Sequence, residues 1–480
     1  MNLSDIFSIL PLTALIIWAL LLLLAGLFIP QKWTILNPIL AIIGLVGTGV
    51  LLFVSRGVST AGFGGMVSAD GFSLYLDALF LVSGLLAVLM APAYLQRIGI
   101  HQNEYYPLLL LSLSGMMLMA SASDLIIVFL ALELLSIPLY VLAGIARPRV
   151  ESEEASLKYF LLGSFASGFV LFGIAFLFGG TASTGFSQIL ASIQSGQANL
   201  FLVIAGAALL LVGFGFKIAA VPFHAWAPDV YQGAPSTVTA FMAVGAKAAG
   251  FAALLRLFLI VFPAQSASLA PVFAGVAALT MIVGNLLALV QVNLKRLLAY
   301  VGIASAGYML MAFVPFGNPA VQADSLASAL FYLMTFTLAS FGAWAVLLTV
   351  EHDDGGGLNL ENLAGFGKRS PLLAAAMTIF MLSFTGIPLT LGFWGKFYLF
   401  RTAIAGGYLW LAVLGLLTSL LTAYVAFRLI QQMYFREGEV EYHWSYWTVV
   451  VAIFCALCVV GLSFIPAQLF ELATRAVLGS

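Results

Sequence analysis

Gly213-Phe214-Gly215-Phe216-Lys217-Ile218-Ala219-Ala220-Val221-Pro222-Phe223-His224-Ala225-Trp226 places a lysine inside a strongly apolar run. A proline follows five residues later and a histidine two residues beyond that. Most hydrophobic spans end on a charge; this one holds a charge within it and then bends. On insertion scales a lysine at bilayer depth costs roughly 2.5–3.5 kcal/mol. A proline removes one helix hydrogen bond and leaves a carbonyl open. A membrane helix that carries both is expected to line something polar.

The rest of the chain agrees with a membrane setting. Of 480 residues, 63% are hydrophobic and 8% charged, against about a quarter charged in soluble domains. A window of about twenty residues predicts an all-α polytopic membrane protein of about fourteen transmembrane helices. They lie near 6–29, 34–55, 72–95, 105–122, 124–145, 157–180, 200–222, 236–262, 268–292, 296–315, 325–350, 371–400, 407–433 and 446–470. Connections are short, so 1–480 reads as a single membrane domain. Its parts are N-terminal helices (1–103), repeat one (104–262), repeat two (263–435) and a last helix (436–480). Met1-Asn2-Leu3-Ser4-Asp5 lacks the positive segment of a cleaved signal, so the first span is expected to stay. The lipid bilayer is the expected surround, and a net charge of −1 gives no electrostatic case for nucleic acid. Two cysteines exclude a disulfide framework; Cys455 and Cys458 read as small packing residues one turn apart. No nucleotide loop, metal cluster or nucleophilic arrangement occurs, and Gly213-Phe214-Gly215 follows no strand. The chain must run downhill or be driven by a partner.

A second stretch, Ser383-Phe384-Thr385-Gly386-Ile387-Pro388-Leu389-Thr390-Leu391-Gly392-Phe393-Trp394-Gly395-Lys396-Phe397, repeats the combination of break, lysine and tryptophan five spans later. Spans 4–8 and 9–13 then form two five-helix repeats with broken helices 7 and 12. An odd number of spans per repeat makes them inverted. Paired interrupted helices in corresponding positions point to a midplane ion site. After odd-numbered spans stand Lys32, Arg97, Arg147, Arg149, Lys295, Arg296, Lys368, Arg369 and Arg436; after even ones chiefly Arg56, Arg401 and Arg475. The positive-inside rule puts the odd loops in the cytoplasm and both termini outside.

Several ionisable groups fall deep in spans. Glu133 is nine residues past Asp124, ~13 Å into its helix at 1.5 Å per residue. It reads as half of an interhelical ion pair or as a proton or ion site. Lys247, eleven residues after Ser236, is ~16 Å deep among small neighbours that leave room for water. Desolvation makes such a lysine easier to discharge, which suits proton loading and release; snorkelling from the midplane is the weaker alternative. Lys217 and Lys396 each lie beside a break. His224 reads as a proton relay or as an interfacial histidine on a carbonyl. Lys158, after Glu151, Glu153 and Glu154, is a helix-end residue at the surface or a member of the relay. Lys295 and Arg296 read as positive-inside anchors, and Arg256 as paired with lipid or a neighbour.

Phe216-Lys217 through Pro222-Phe223-His224-Ala225-Trp226-Ala227-Pro228-Asp229-Val230-Tyr231, then Gly233-Ala234-Pro235, and Gly392-Phe393-Trp394-Gly395-Lys396-Phe397-Tyr398 resemble the antiporter-like subunits of respiratory complex I. The resemblance covers nearly the whole chain. It is nearest to the N-type subunit: position 396 is lysine where the M type has glutamate, and the chain ends without the L type's long lateral helix. The resemblance implies a proton path of Glu133, Lys217, Lys247 and Lys396, with His224 and Lys158 as further candidates. It implies a translocase subunit in the bacterial inner membrane that performs no redox chemistry and binds no cofactor itself. NADH, FMN, iron–sulfur clusters and quinone would belong to partners, and the neighbours would be membrane-arm subunits of the K, M, L, J, A and H types. A multi-subunit cation/proton antiporter, a structural arm subunit and a stand-alone carrier are the rival expectations. One departure stands out: where the family usually has a histidine, this chain has Ser305, which does not titrate near neutrality.

Overall fold

A computed structural model describes residues 3–30, 33–55, 60–100, 102–352 and 358–478. Lys32 and Arg56, used in the loop-charge argument, lie outside the described residues, as do Met1 and Asn2.

The chain is helical almost throughout. It opens with α1 (Leu3–Gly26), α2 (Leu36–Ser55), α3 (Gly71–Arg97), α4 (Tyr105–Ser121), α5 (Leu125–Ala143) and α6 (Val150–Thr181). A short α7 (Phe186–Gln194) precedes the first broken unit, α8 (Leu200–Lys217) and α9 (Trp226–Gly233). Next come α10 (Ser236–Phe241) and α11 (Lys247–Val261), joined through one π-helical turn at Met242–Ala246. Then follow α12 (Ser266–Leu289), α13 (Leu294–Leu310), α14 (Pro319–Val350) and a one-turn α15 (Phe366–Arg369). The second broken unit is α16 (Pro371–Thr385) and α17 (Leu391–Ala405); α18 (Leu409–Phe435), α19 (Tyr446–Gly461) and α20 (Pro466–Leu478) complete the chain. Among the described residues, twelve helices are long and apolar enough to cross a membrane, and Tyr105–Ser121 and Pro371–Thr385 are shorter apolar helices.

Start signals are local. Asp70 caps α3 through a reciprocal bond with Ser73, and Asp124, Asn199 and Asn293 accept from the first-turn amides of α5, α8 and α13. In the apolar interior each helix satisfies its own backbone, which is what lets it span. The helix running from Ser236 to Phe258 is wholly enclosed by others, and α13 and α14 are nearly so. α1 and α2 instead expose Ile17, Leu24, Ile43 and Phe53, as lipid-facing helices do.

Three features depart from the sequence reading. An antiparallel hairpin, β1 (Thr60–Gly62) with β2 (Val67–Ala69), interrupts the all-α plan between α2 and α3. α7 was not expected. The last span, read as 446–470, ends at Gly461; a separate amphipathic helix, α20, follows it. Alternating polar and apolar residues over so few positions give hydropathy windows no signal, because a window of twenty averages them away.

Both expected breaks are present. At the first, Ala219 takes a left-handed backbone (φ 57°) and the Val221–Pro222 peptide is cis. At the second, Gly386 (φ 88°) and Leu389 (φ 72°) turn the chain around Pro388.

Candidate functional site

Lys217, Lys247 and Lys396 are 5%, 2% and 4% exposed. None of the three has a carboxylate within ion-pair distance among the described residues. Each ammonium is met by neutral oxygens instead.

Lys217 is the last residue of α8. Its Nζ donates to Ser136 Oγ at 2.8 Å and to Tyr159 OH at 3.2 Å, and it lies 5.4 Å from the Tyr159 ring centre. The carbonyl of Phe216 accepts from Trp226 Nε1 at 2.9 Å and from the Ala219 amide at 3.0 Å. Trp226 in turn stacks on Tyr159, ring centres 4.8 Å apart. Glu133 precedes Ser136 by three residues on α5, so both share one helix face, and its charge reaches Lys217. Glu133 Oε1 is buried and has no hydrogen-bond partner. Of the two sequence expectations for Glu133, the bonded interhelical pair is not formed.

Lys247 starts α11 directly after the π turn. A π turn widens the helix locally and frees backbone groups, a device found often at functional sites. Lys247 Nζ donates to Gly302 O on α13 at 2.6 Å and lies 5.4 Å from the Phe336 ring centre on α14. A side chain at 302 would bring its Cβ within 3.1 Å of that nitrogen. Gly250, one turn beyond Lys247, lets the stem of Lys217 lie against α11, with Cγ 3.4 Å from where a Cβ would stand. The first two lysines are therefore neighbours across one helix contact.

Lys396 is five residues into α17 and reaches back to the second break. Its Nζ donates to Thr385 O at 3.1 Å and to Ser419 Oγ at 2.9 Å, and sits 4.0 Å from the Tyr308 ring centre. Ser419 Oγ donates to Tyr308 OH at 3.2 Å, and Tyr308 shares a hydrogen bond with Thr418 at 3.1 Å. Thr422 donates to Asn285 Oδ1 at 2.6 Å, which extends the cluster to α12. Composition could not reveal this group, since its members are single polar residues on α12, α13 and α18, each ordinary by itself.

α13 touches both inner lysines, Gly302 at Lys247 and Tyr308 at Lys396. Six residues separate these positions, ~9 Å of helix. Ser305 lies between them, buried, its hydroxyl donating to Val301 O at 2.8 Å, with the Tyr332 hydroxyl of α14 against it. Hydroxyls thus occupy the stretch between the two lysines.

The outer candidates are different. Lys158 has a side chain 41% exposed and pairs with Glu154 at 2.7 Å and Asp229 at 3.0 Å, the helix-end surface arrangement. Arg296 joins Asp229 at 2.6 Å. His224 is half-buried within the first break; its Nδ1 is buried without a partner, and it hydrogen-bonds neither Lys217 nor Lys247. Arg256 forms a buried two-pronged pair with Asp70, both bonds 2.8 Å.

The family profile described as "NADH:quinone oxidoreductase/Mrp antiporter, TM" matches residues 122–422, which include all six candidate residues. A curated relative, "NADH-quinone oxidoreductase subunit N" from Trichlorobacter lovleyi, is 43% identical over 473 residues, 98% of this chain and 96% of the relative. A chain of respiratory complex I from Thermus thermophilus superposes with a TM-score of 0.83 at 35% identity, covering 97% of this chain and 99% of that one. A chain of the Mrp complex from Dietzia gives 0.86 at 21% identity over 99% and 97%, a likeness of fold alone. Buried lysines on broken helices, a profile spanning them and full-length relatives converge: this multi-pass integral membrane protein belongs to the NADH:quinone oxidoreductase/Mrp antiporter family.

Proposed function

We propose that the chain is a proton-translocating membrane-arm subunit of an NADH:quinone oxidoreductase. The observation that carries this reading is the row of three deeply buried lysines held by hydroxyl and carbonyl oxygens with no bonded carboxylate. Burying an unpaired ammonium is costly, so such groups mark ion pathways. A neutral-oxygen shell lets each nitrogen gain or lose its proton without leaving a stranded counter-ion.

In this reading Glu133 acts on Lys217 through charge. A proton passes between Lys217 and Lys247 over their shared contact, with His224 joining by way of water. It reaches Lys396 along Tyr332, Ser305 and Tyr308, where hydroxyls and water serve in place of a titrating side chain. Lys396 is the terminal site, and Lys158 feeds the near end. Fourteen spans in two inverted five-helix repeats, 104–262 and 263–435, fit the twelve long helices, the two shorter apolar ones and the two breaks. Odd loops face the cytoplasm and both termini face outward, in a bacterial inner membrane. Neighbouring subunits of the K, M, L, J, A and H types supply contact surfaces, and NADH, FMN, iron–sulfur clusters and quinone act in partner subunits. Conformational or charge changes there drive the lysines here.

The family profile also covers antiporter subunits, but the 43% full-length identity is to N-type chains, and this favours the respiratory assignment. The test is single replacement of Glu133, Lys247 or Lys396 in the assembled complex, with quinone reduction and proton pumping measured together. Loss of pumping with assembly intact supports the proposal; full activity in all three variants ends it.

A further inference from the structure

Lys295 was expected to be a surface anchor, yet it is 4% exposed and pairs with Glu351, 1% exposed, at 3.3 Å. Glu351 closes the C-terminus of α14, and Lys295 opens α13. Tyr94 OH donates to Glu351 Oε1 at 3.1 Å and accepts from the amide of Ser236 at 3.0 Å, at the first turn of the helix that carries Lys247. Lys295 Nζ also donates to Ala234 O at 3.1 Å. The pair forms the inner wall of a cavity of about 480 Å³, whose outer wall carries Lys158, Glu154 and Asp229. The elements that meet here are the end of α3, the start of α6, the α9–α10 link, the start of α13 and the end of α14.

Glu351 Oε2 on the inner wall is buried without any partner, and so is Oγ of Ser236, the residue after the lining Pro235. A buried carboxylate oxygen with no donor is costly, so this one calls for a water or a proton. The residue sits where a charged, water-sized vestibule gives way to the enclosed helix. Lys247 is eleven residues beyond Ser236 along that helix, ~16 Å.

We propose that Glu351, held by Lys295 and Tyr94, is the proton-loading carboxylate of an inlet that supplies Lys247 separately from the Glu133–Lys217 side. This rests on the proton-translocation reading. A hydronium in the cavity gives one proton to Oε2 and leaves as water. The neutral carboxyl passes that proton by way of water to the neutral amine of Lys247, which becomes the ammonium, and returns to carboxylate, again paired with Lys295. Lys295 keeps its charge throughout and positions the carboxylate.

The test uses the assembled complex in sealed vesicles, with Lys247→Met measured in parallel. Glu351→Gln keeps the shape but cannot load a proton, and pumping falls about tenfold. Removing both ions in Lys295→Met/Glu351→Ala avoids an orphaned charge and opens space for a small acid. This variant pumps poorly without formate and recovers with millimolar formate in the medium on the cavity side. Normal pumping by Glu351→Gln, or by the double variant without formate, makes the pair a structural staple and overturns the inference, as does absence of formate rescue. If Lys247→Met pumps normally, it is the wider translocation reading that has failed. If Lys247→Met fails to pump and the Glu351 variants pump normally, only the inlet is wrong.

Discussion

The two broken helices look alike in sequence and solve the same problem differently. At the first, Phe216 O, one residue before the lysine, is shared by the Ala219 amide and Trp226 Nε1. That leaves Lys217 to two side-chain hydroxyls, with Glu133 within reach of its field. At the second, the equivalent tryptophan, Trp394, donates away from the break to Ser463 O. Lys396 takes the freed carbonyl, Thr385 O, itself. The first lysine is therefore tunable, because its shell is neutral and a titratable acid stands near. The second is held by the C-terminal end of a half-helix, whose partial negative charge is fixed. A tunable end and a fixed end are what a driven pathway needs.

Replacing the lysines should expose this contrast most strongly. Lys396→Met and Lys396→Arg should both cut pumping by about tenfold or more, roughly 1.4 kcal/mol or above in barrier. Methionine carries no proton and arginine does not release one. The readout is the proton-to-electron ratio in vesicles. Retained pumping in Lys396→Arg would mean that only a fixed charge is needed there.

Glu133→Gln should come next, with a several-fold loss and normal assembly, because it removes the field on Lys217 while keeping the shape. Among the described residues no carboxylate plays Glu133's part beside Lys396, so the second break offers no analogous substitution. Equal rates in Glu133→Gln and the parent would erase the difference between the ends.

Smaller effects follow from single hydroxyls. Ser136→Ala and Ser419→Ala each remove one acceptor from a buried ammonium, worth about 1.5–3 kcal/mol per charged hydrogen bond, less whatever an added water recovers. Ser419→Ala should slow pumping less than Lys396→Met, since Thr385 O remains. Comparing the two variants in one assay ranks the shells.

The smallest effects concern the backbone and have opposite signs. Gly386→Ala forces a side chain into φ 88° with its Cβ 3.0 Å from Lys396 Cδ, and should destabilise by about 1–2 kcal/mol. Ala219→Gly relaxes the left-handed residue of the first break and should be neutral or slightly stabilising. Thermal inactivation of the solubilised complex reads both. Equal behaviour would mean that the breaks are not under the strain their dihedrals imply.

The sequence made the breaks and their lysines legible because the pairing of charge with proline in an apolar run has few other uses. The depth of Glu133 and Lys247 followed from counting residues along their spans, whereas the enclosure of the Ser236 helix shows only in the structure. Lys295 did not, because its burial depends on Glu351, 56 positions on, and a lysine near a loop looks like an anchor. The Tyr308–Ser419–Thr422–Asn285 cluster was invisible for the same reason: only tertiary contact assembles it. Lys158 stands part-exposed at the start of α6, paired with Glu154 and Asp229, and its place in the relay remains a proposal.

The central claim is that water and hydroxyls join the three lysines through the enclosed helices. A density map of the assembled complex sharp enough to show ordered water tests it directly. The account predicts waters in hydrogen-bond reach between Lys217 and Lys247, and beside Ser305 and Tyr332 on the way to Tyr308 and Lys396. Dry, close-fitted side chains separating the ammonium groups from one another would contradict it.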